Sequence, residues 1–237
     1  MSSELETRRI RDVYSGHLRR AREALYAWHR PDVQWNTYRL RAVAAQLFRR
    51  AGKTDLATCR VLDVGCGKGE WLRTLIDWGI DPQHVHGVDL IPERITAARE
   101  RSPVTVDLRV EDAMHLPYAD GTMHMVTANT VFSSVLDKEV RLRIAREMQR
   151  VCAANGVILV YDFRIKDPRN PDTVAIGRSE LVRLFPNCGI TIRSLTLAPP
   201  LARRIAPWSM PLTAMLEWGA PFLRTHLLAL IRPTNDK

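Results

Sequence analysis

Val61-Leu62-Asp63-Val64-Gly65-Cys66-Gly67-Lys68-Gly69 is an apolar strand that runs into a turn with three glycines, and an amphipathic helix follows at once. Glycines at 65 and 67 let the chain turn tightly and bring its backbone close to a ligand. The free N–H groups of the helix start favour a carboxylate or phosphate. Such a loop after the first strand of an α/β sheet is a cofactor loop. It is not the dinucleotide fingerprint G-x-G-x-x-G, which needs a glycine at 70, where this chain has Glu70. The next apolar strand, Val85-His86-Gly87-Val88, ends in Asp89, about 20 residues past the last glycine, where a ribose diol needs an acceptor. A third strand, Val104 to Val110, runs into Glu111-Asp112-Ala113, a polar pair placed to read an adenine amino group.

Outward from this core, strands and helices alternate, which predicts a doubly wound, mostly parallel sheet covered on both faces. Strands are expected at 60–64, 84–88, 104–109, 123–128 and 156–161, with helices at 68–78, 92–101 and 137–152 between them. In the last of these, Val140, Ile144, Met148 and Val151 form one stripe, with arginines mainly off it. Leu5, Ile10, Val13, Leu18, Leu25 and Trp28 recur at helical spacing, giving an amphipathic N-terminal helix that stops near Arg30-Pro31. A second helix follows, with Leu40, Val43, Leu47 and Phe48 on one side. After Asp162 the pattern breaks into a turn-rich loop, then a short helix at 179–184 and a strand at 191–197. Five prolines cut residues 198–223 into short helices, and a strand from His226 to Ile231 closes the sheet. Residues 1–52 are therefore expected as a helical lid, 53–237 as one α/β domain, and 198–223 as a substrate-side insertion.

The ordered set Asp63 to Gly69, Gly87-Val88-Asp89-Leu90, Asp112-Ala113 and Leu116-Pro117-Tyr118 resembles the class I S-adenosylmethionine-dependent methyltransferases. The likeness covers roughly residues 60–161 and implies a seven-stranded Rossmann-like fold, S-adenosylmethionine as cofactor and methyl transfer as the activity. It places Gly65, Cys66 and Gly67 against the methionine portion, and Asp89 on the ribose hydroxyls. Asp63 orients the loop or attracts the ammonium. Leu90 packs on the adenine or is ordinary core. Asp112 with Ala113 reads the adenine edge, and an N-cap role for Asp112 is compatible with that. Asn129 lies where family members contact the methionine end through the main chain. Two departures matter. Strand four opens with Thr122-Met123-His124, without the usual aspartate, and His124 sits away from the cofactor edge. Asn129-Thr130-Val131-Phe132 is not the Asn/Asp-Pro-Pro-Tyr/Phe run of enzymes that methylate exocyclic amines of bases.

A hydroxyl acceptor needs a base near its oxygen, and Asp162 in Tyr161-Asp162-Phe163-Arg164 is the best placed candidate. Arg164 suits an anionic group of the substrate, and the plainer alternative is that Asp162 and Arg164 pair with each other or cap the loop. Tyr14, Tyr161 and Arg164 are the expected substrate contacts, with His17 and His29 as second-rank bases. The extension aromatics Tyr14, Tyr26, Trp28, Trp35 and Tyr38 line the lid or pack the extra helices, and core packing is the expectation for Trp28. Trp208, Met210, Met215, Leu216 and Trp218 are expected to form a second wall of the substrate pocket or an interfacial membrane contact. No carboxylate cluster points to a catalytic metal.

Composition sets the outer bounds. The chain carries 35 Lys and Arg against 26 Asp and Glu, a formal net charge of +9. Residues 51–197 hold 19 of each sign, whereas residues 1–50 hold 11 basic against 5 acidic and residues 198–237 hold 5 against 2. The excess charge lies in the extensions, where it steers an acidic partner or simply solvates helix surfaces. No apolar run is long enough to span a bilayer and no secretory leader is visible. The four scattered cysteines suit a reducing cytoplasm, with peripheral contact at a membrane as a further expectation. These features lead to O-methylation of a small molecule, with a sugar hydroxyl of a glycan or glycolipid precursor as the acceptor. A loose similarity to envelope-glycan methyltransferases points the same way. The alternatives are an RNA methyltransferase using the basic extensions, and a non-catalytic cofactor-binding or membrane-surface accessory protein.

Overall fold

Apolar residues at period two build seven strands, and proline, glycine and aspartate at their ends start the helices between them. The computed structural model describes residues 3–15, 25–168 and 170–233. Its strands are β1 (Val61–Val64), β2 (Val85–Asp89), β3 (Asp107–Val110), β4 (Met123–Asn129), β5 (Cys152–Phe163), β6 (Cys188–Leu197) and β7 (Arg224–Pro233). The helices are α1 (Ser3–Ser15), α2 (Pro31–Arg50), α3 (Glu70–Asp77), α4 (Pro92–Arg99), α5 (Lys138–Val151), α6 (Arg178–Leu184), α7 (Pro199–Ile205) and α8 (Met210–Gly219). Pro31 and Pro92 occupy first-turn positions, where a missing N–H costs nothing. The Asp137 carboxylate caps α5 by accepting from the N–H groups of Glu139 and Val140.

The sheet order is β3-β2-β1-β4-β5-β7-β6, the order expected of a Rossmann-like methyltransferase fold. β1 to β5 run parallel, and β7 is antiparallel to both neighbours. The final strand, expected to close the sheet, does so by inserting between β5 and β6. That reversal has a functional consequence, because the register sets His226 opposite Phe163 and beside Leu195. The start of β7 therefore meets the ends of β5 and β6.

The two faces of the sheet build two halves of the core. Leu62, Val126, Ile158 and Ala229 pack under α5 and α6 with Ile144, Met148 and Leu181. Val61, Met125, Leu159 and Leu228 pack under α2, α3 and α4 with Phe48, Leu72 and Ile95. The alternation along each strand decides which face a residue serves. α2 is consequently a covering helix of the sheet, with Val43, Ala44, Leu47 and Phe48 buried. α2 thus belongs to the layer that covers the sheet, where a lid was expected. α1 instead reaches the loop after the central strand β4, where Glu6 accepts from Leu136 N–H and Arg9 donates to the carbonyl of Ser134. His17 lies outside the described residues.

Candidate cofactor and acceptor site

In an open parallel sheet, ligands bind beyond the carboxyl ends of the strands where strand order reverses. Here that point lies between β1 and β4. The loop after β1 turns through Gly65, Gly67 and Gly69, all with positive φ. At Gly65 (φ +68°) an added Cβ would lie 2.6 Å from Val131 Cγ2, whereas Gly67 opens onto free space. Cys66 N–H donates to the carbonyl of Val88, which ties the loop to β2. The Cys66 thiol is buried, and burial pushes its pKa well above the ordinary value, so it is a packing group.

Asp89 is buried at the end of β2 and does more than face a ligand. Its Oδ2 accepts from Gly67 N–H at 2.9 Å and its Oδ1 from Ile91 N–H at 3.0 Å. One carboxylate thus fixes the loop after β1 and the start of α4. Arg94 stands 3.6 Å from Oδ2 and also lies over the Tyr14 ring at 4.7 Å. Leu90 is half-buried beside it. Asp112 caps its own turn through Met114 N–H, and its other oxygen accepts from Thr7 of α1. Tyr14 of α1 shares a 2.5 Å hydrogen bond with Ser134 Oγ. α1 therefore lies across the mouth, touching the ends of β2, β3 and β4 in turn.

Asp63, under the loop, accepts from Thr127 Oγ1 at 2.6 Å. Burial raises its pKa to about 7, Thr127 opposes that rise, and the charge of Asp89 adds to it. Asn129, expected to act through its main chain, instead leaves its side-chain Oδ1 buried and without a hydrogen bond at the end of β4. An orphaned acceptor beside a glycine loop that opens outward fits a ligand carrying an ammonium group.

The β5 side of the cleft departs from expectation. Asp162 is fully buried, accepting from Ser133 N–H through Oδ2 and from Phe163 N–H through Oδ1. Burial raises its pKa to about 6 against those bonds. It ties the loop after β4 to β5 instead of presenting an open oxygen, and it does not pair with Arg164. Tyr161 stacks on His226 at 5.0 Å, and its hydroxyl shares a bond with Thr196. Phe163 lies 4.1 Å from the same imidazole. Burial pushes the His226 pKa down to about 3, so the ring is neutral, and Nδ1 meets Thr225 Oγ1 at 3.0 Å. Arg164 is half-buried next along, its N–H on the carbonyl of Thr225.

His226, Thr196 and Arg94 were not legible as site residues. The first two reach the edge only through the antiparallel insertion of β7, and Arg94 lies a helical turn beyond the Asp89 motif, where an arginine reads as a solvated helix residue. Several expected contacts lie elsewhere. Trp35 donates to Glu217 at 2.7 Å, Trp28 is 80% exposed instead of packed in the core, and Tyr38 is exposed. Trp208, Met215 and Trp218 point to solvent and form no pocket wall. His29 is exposed beside Trp28, and His124 accepts from Arg60 N–H at the opposite end of the sheet.

Fold and site define a Rossmann-like domain built to hold a nucleoside-bearing cofactor at the β1–β4 switch. Residues 61–156 match a family described as a methyltransferase domain, so this stretch is similar to the S-adenosylmethionine-dependent methyltransferases. It is 36% identical over 112 residues to 2-methyl-6-phytyl-1,4-hydroquinone methyltransferase of Synechocystis, covering 46% of this chain and 33% of that protein. It is 29% identical over 165 residues to norajmaline N-methyltransferase of Rauvolfia serpentina, covering 63% and 54%. The chain thus spans between a third and about half the length of these curated relatives. In fold it is similar to magnesium protoporphyrin IX methyltransferase from Synechocystis, solved with its bound S-adenosylmethionine. That match has a TM-score of 0.64 at 13% identity and covers 96% of this chain and 97% of that one.

Proposed function

We propose that this chain transfers the methyl group of S-adenosylmethionine to a hydroxyl of a small-molecule acceptor whose body is a ring or an apolar chain. The observation that carries the acceptor side is the half-buried pair Tyr161 and Phe163 at the carboxyl end of β5, backed by the buried His226 and Thr196. The half-buried rings give that side of the cleft a partly apolar character, and the buried hydroxyl pair fixes the Tyr161 ring. The two curated relatives above are named for a hydroquinone and an alkaloid, both ring acceptors. A sugar hydroxyl fits this class when the sugar is carried on a lipid, as in a glycolipid precursor.

The cofactor supplies a methyl carbon already activated by a positive sulfur. In this reading Asp89 accepts from the ribose hydroxyls with the lone pairs its two backbone bonds leave free. Asn129 Oδ1 takes the ammonium, and Leu90 and Ala113 flank the adenine. Because the carbon is activated, holding the two reactants in line supplies much of the rate; the sulfur leaves as the neutral thioether of S-adenosylhomocysteine and the hydroxyl proton is released to solvent. Asp162 contributes by fixing the Ser133 loop, a positioning role. α1 excludes water from the cleft once both ligands are in place.

The test is methyl incorporation from labelled S-adenosylmethionine into a panel of hydroquinones, phenols, glycolipid extracts and RNA. Incorporation into ring or lipid-borne hydroxyls, weakened by Tyr161→Phe with Thr196→Val, is the expected result. Incorporation into RNA alone would overturn the proposal.

A further inference from the structure

The segment between β6 and β7 is built inside out. An amphipathic helix on a globular domain normally turns its polar side to water. α8 does the reverse. Its buried residues are Thr213 and Glu217, both fully enclosed. Glu217 accepts from Trp35 Nε1 at 2.7 Å and from Arg39 Nε at 3.1 Å, and Ser209 caps the helix start. A buried ion pair therefore sets the rotation of the helix, which leaves the opposite stripe outward. From Pro207 to Phe222 every exposed residue is apolar. Trp208 is 90% exposed, Met215 63%, Trp218 66% and Phe222 73%, and Leu212 lies on the same stripe. Tyr38 of α2 extends the surface, since Arg39 lies over both the Trp35 and Trp218 rings and Tyr38 packs on Trp35.

The edge of this surface is basic. Arg204 is exposed at the end of α7, with Arg203 half-buried beside it. Arg224 follows the patch and holds the carbonyls of Glu217 and Trp218. The only acidic residue between 198 and 233 is Glu217, which is buried. Exposed tryptophans beside an exposed arginine, Arg204, suit the boundary between lipid headgroups and acyl chains, whereas Arg203 faces Asp32 and Arg224 is held by carbonyls. A second copy fits less well, because face-to-face docking would bring like charges together, whereas anionic headgroups complement them.

We infer that the α7–α8 face docks this protein onto an anionic lipid bilayer. α8 also packs on β6, the strand that carries Thr196 behind Tyr161, so docking sets the cleft beside the membrane surface. The face lies outside the cofactor cleft, and docking there does not depend on which acceptor is methylated.

The experiment is flotation of the full chain with vesicles containing about 30% phosphatidylglycerol, against pure phosphatidylcholine, at low and high salt. The Trp208→Ser/Met215→Ser variant changes two side chains that point to solvent, and Arg204→Glu reverses one edge charge. The wild type should float with the anionic vesicles, and less at high salt. Each variant should bind about tenfold more weakly or worse, with an unchanged melting temperature. Should the double variant fail to fold, the charge reversal decides alone. No flotation of the wild type, or equal flotation on neutral vesicles, overturns the inference. So does a concentration-dependent dimer by light scattering that the double variant abolishes, since that gives the face to a second copy.

Discussion

Replacing Asp89 separates two roles that one carboxylate performs. In the cofactor-free protein its oxygens hold the N–H groups of Gly67 and Ile91 at 2.9 and 3.0 Å in a buried setting. Asp89→Ala leaves both donors unpaired, at about 1–3 kcal/mol each. Removing a buried carboxylate also removes its desolvation cost, which places the net loss in the lower half of that sum, at about 3 kcal/mol. Asp89→Asn keeps one carbonyl oxygen for one donor and turns an NH2 group toward the other, so about half the loss is expected. Urea denaturation without ligand reads this directly. With an m value of about 3 kcal/mol/M the alanine variant shifts its midpoint by about 1 M and the asparagine variant by about half as much. S-adenosylhomocysteine at about 100 times its Kd should stabilise the wild type by about 2.7 kcal/mol, an increment both variants lose. An asparagine variant within about 0.5 kcal/mol of wild type would show that the carboxylate does not build the loop, which refutes the dual role.

Other perturbations follow from the same geometry. Gly65→Ala forces a side chain into the left-handed region and against Val131, costing about 1–3 kcal/mol and most cofactor affinity, which melting and calorimetry will show. Asp63 and Asp162 have folded pKa values raised to about 7 and about 6 from 3.8. Their folded forms hold the proton more tightly, so the contribution to stability is full below the unfolded value. It is lost as pH rises from about 4 to about 7, each carboxyl giving up about 1.4 kcal/mol per pH unit between its unfolded and folded values. Urea titrations across that range should show Asp63→Asn with a flatter slope than wild type, and equal slopes would remove the account. Glu217→Ala strands Trp35 Nε1 and Arg39 in the interior, with an expected cost of about 3–5 kcal/mol, read as a drop in melting temperature. A drop no larger than that of an exposed substitution such as Thr37→Ala would mean that Glu217 does not hold α8.

The sequence by itself determined the βα alternation, because period-two and period-3.6 patterns are local properties of the chain. The strand expected at 123–128 is observed at Met123–Asn129, and the helix expected at 137–152 at Lys138–Val151. It also pointed to the candidate cofactor edge, since the βα alternation alone puts the glycine loop and the aspartates Asp89 and Asp112 after successive strands. Tertiary structure decided the rest. Where β7 inserts depends on pairing between residues about 70 positions apart, and that register alone brings His226 to Tyr161 and Phe163. Burial, invisible in a string of letters, turned Asp162 from an expected base into a tie between β5 and the Ser133 loop. The outward stripe of α8 was only one of two expectations, pocket wall or membrane contact, because an apolar segment does not say which side it exposes. Only the buried pair of Glu217 with Trp35 and Arg39 fixes which side of that helix meets the solvent.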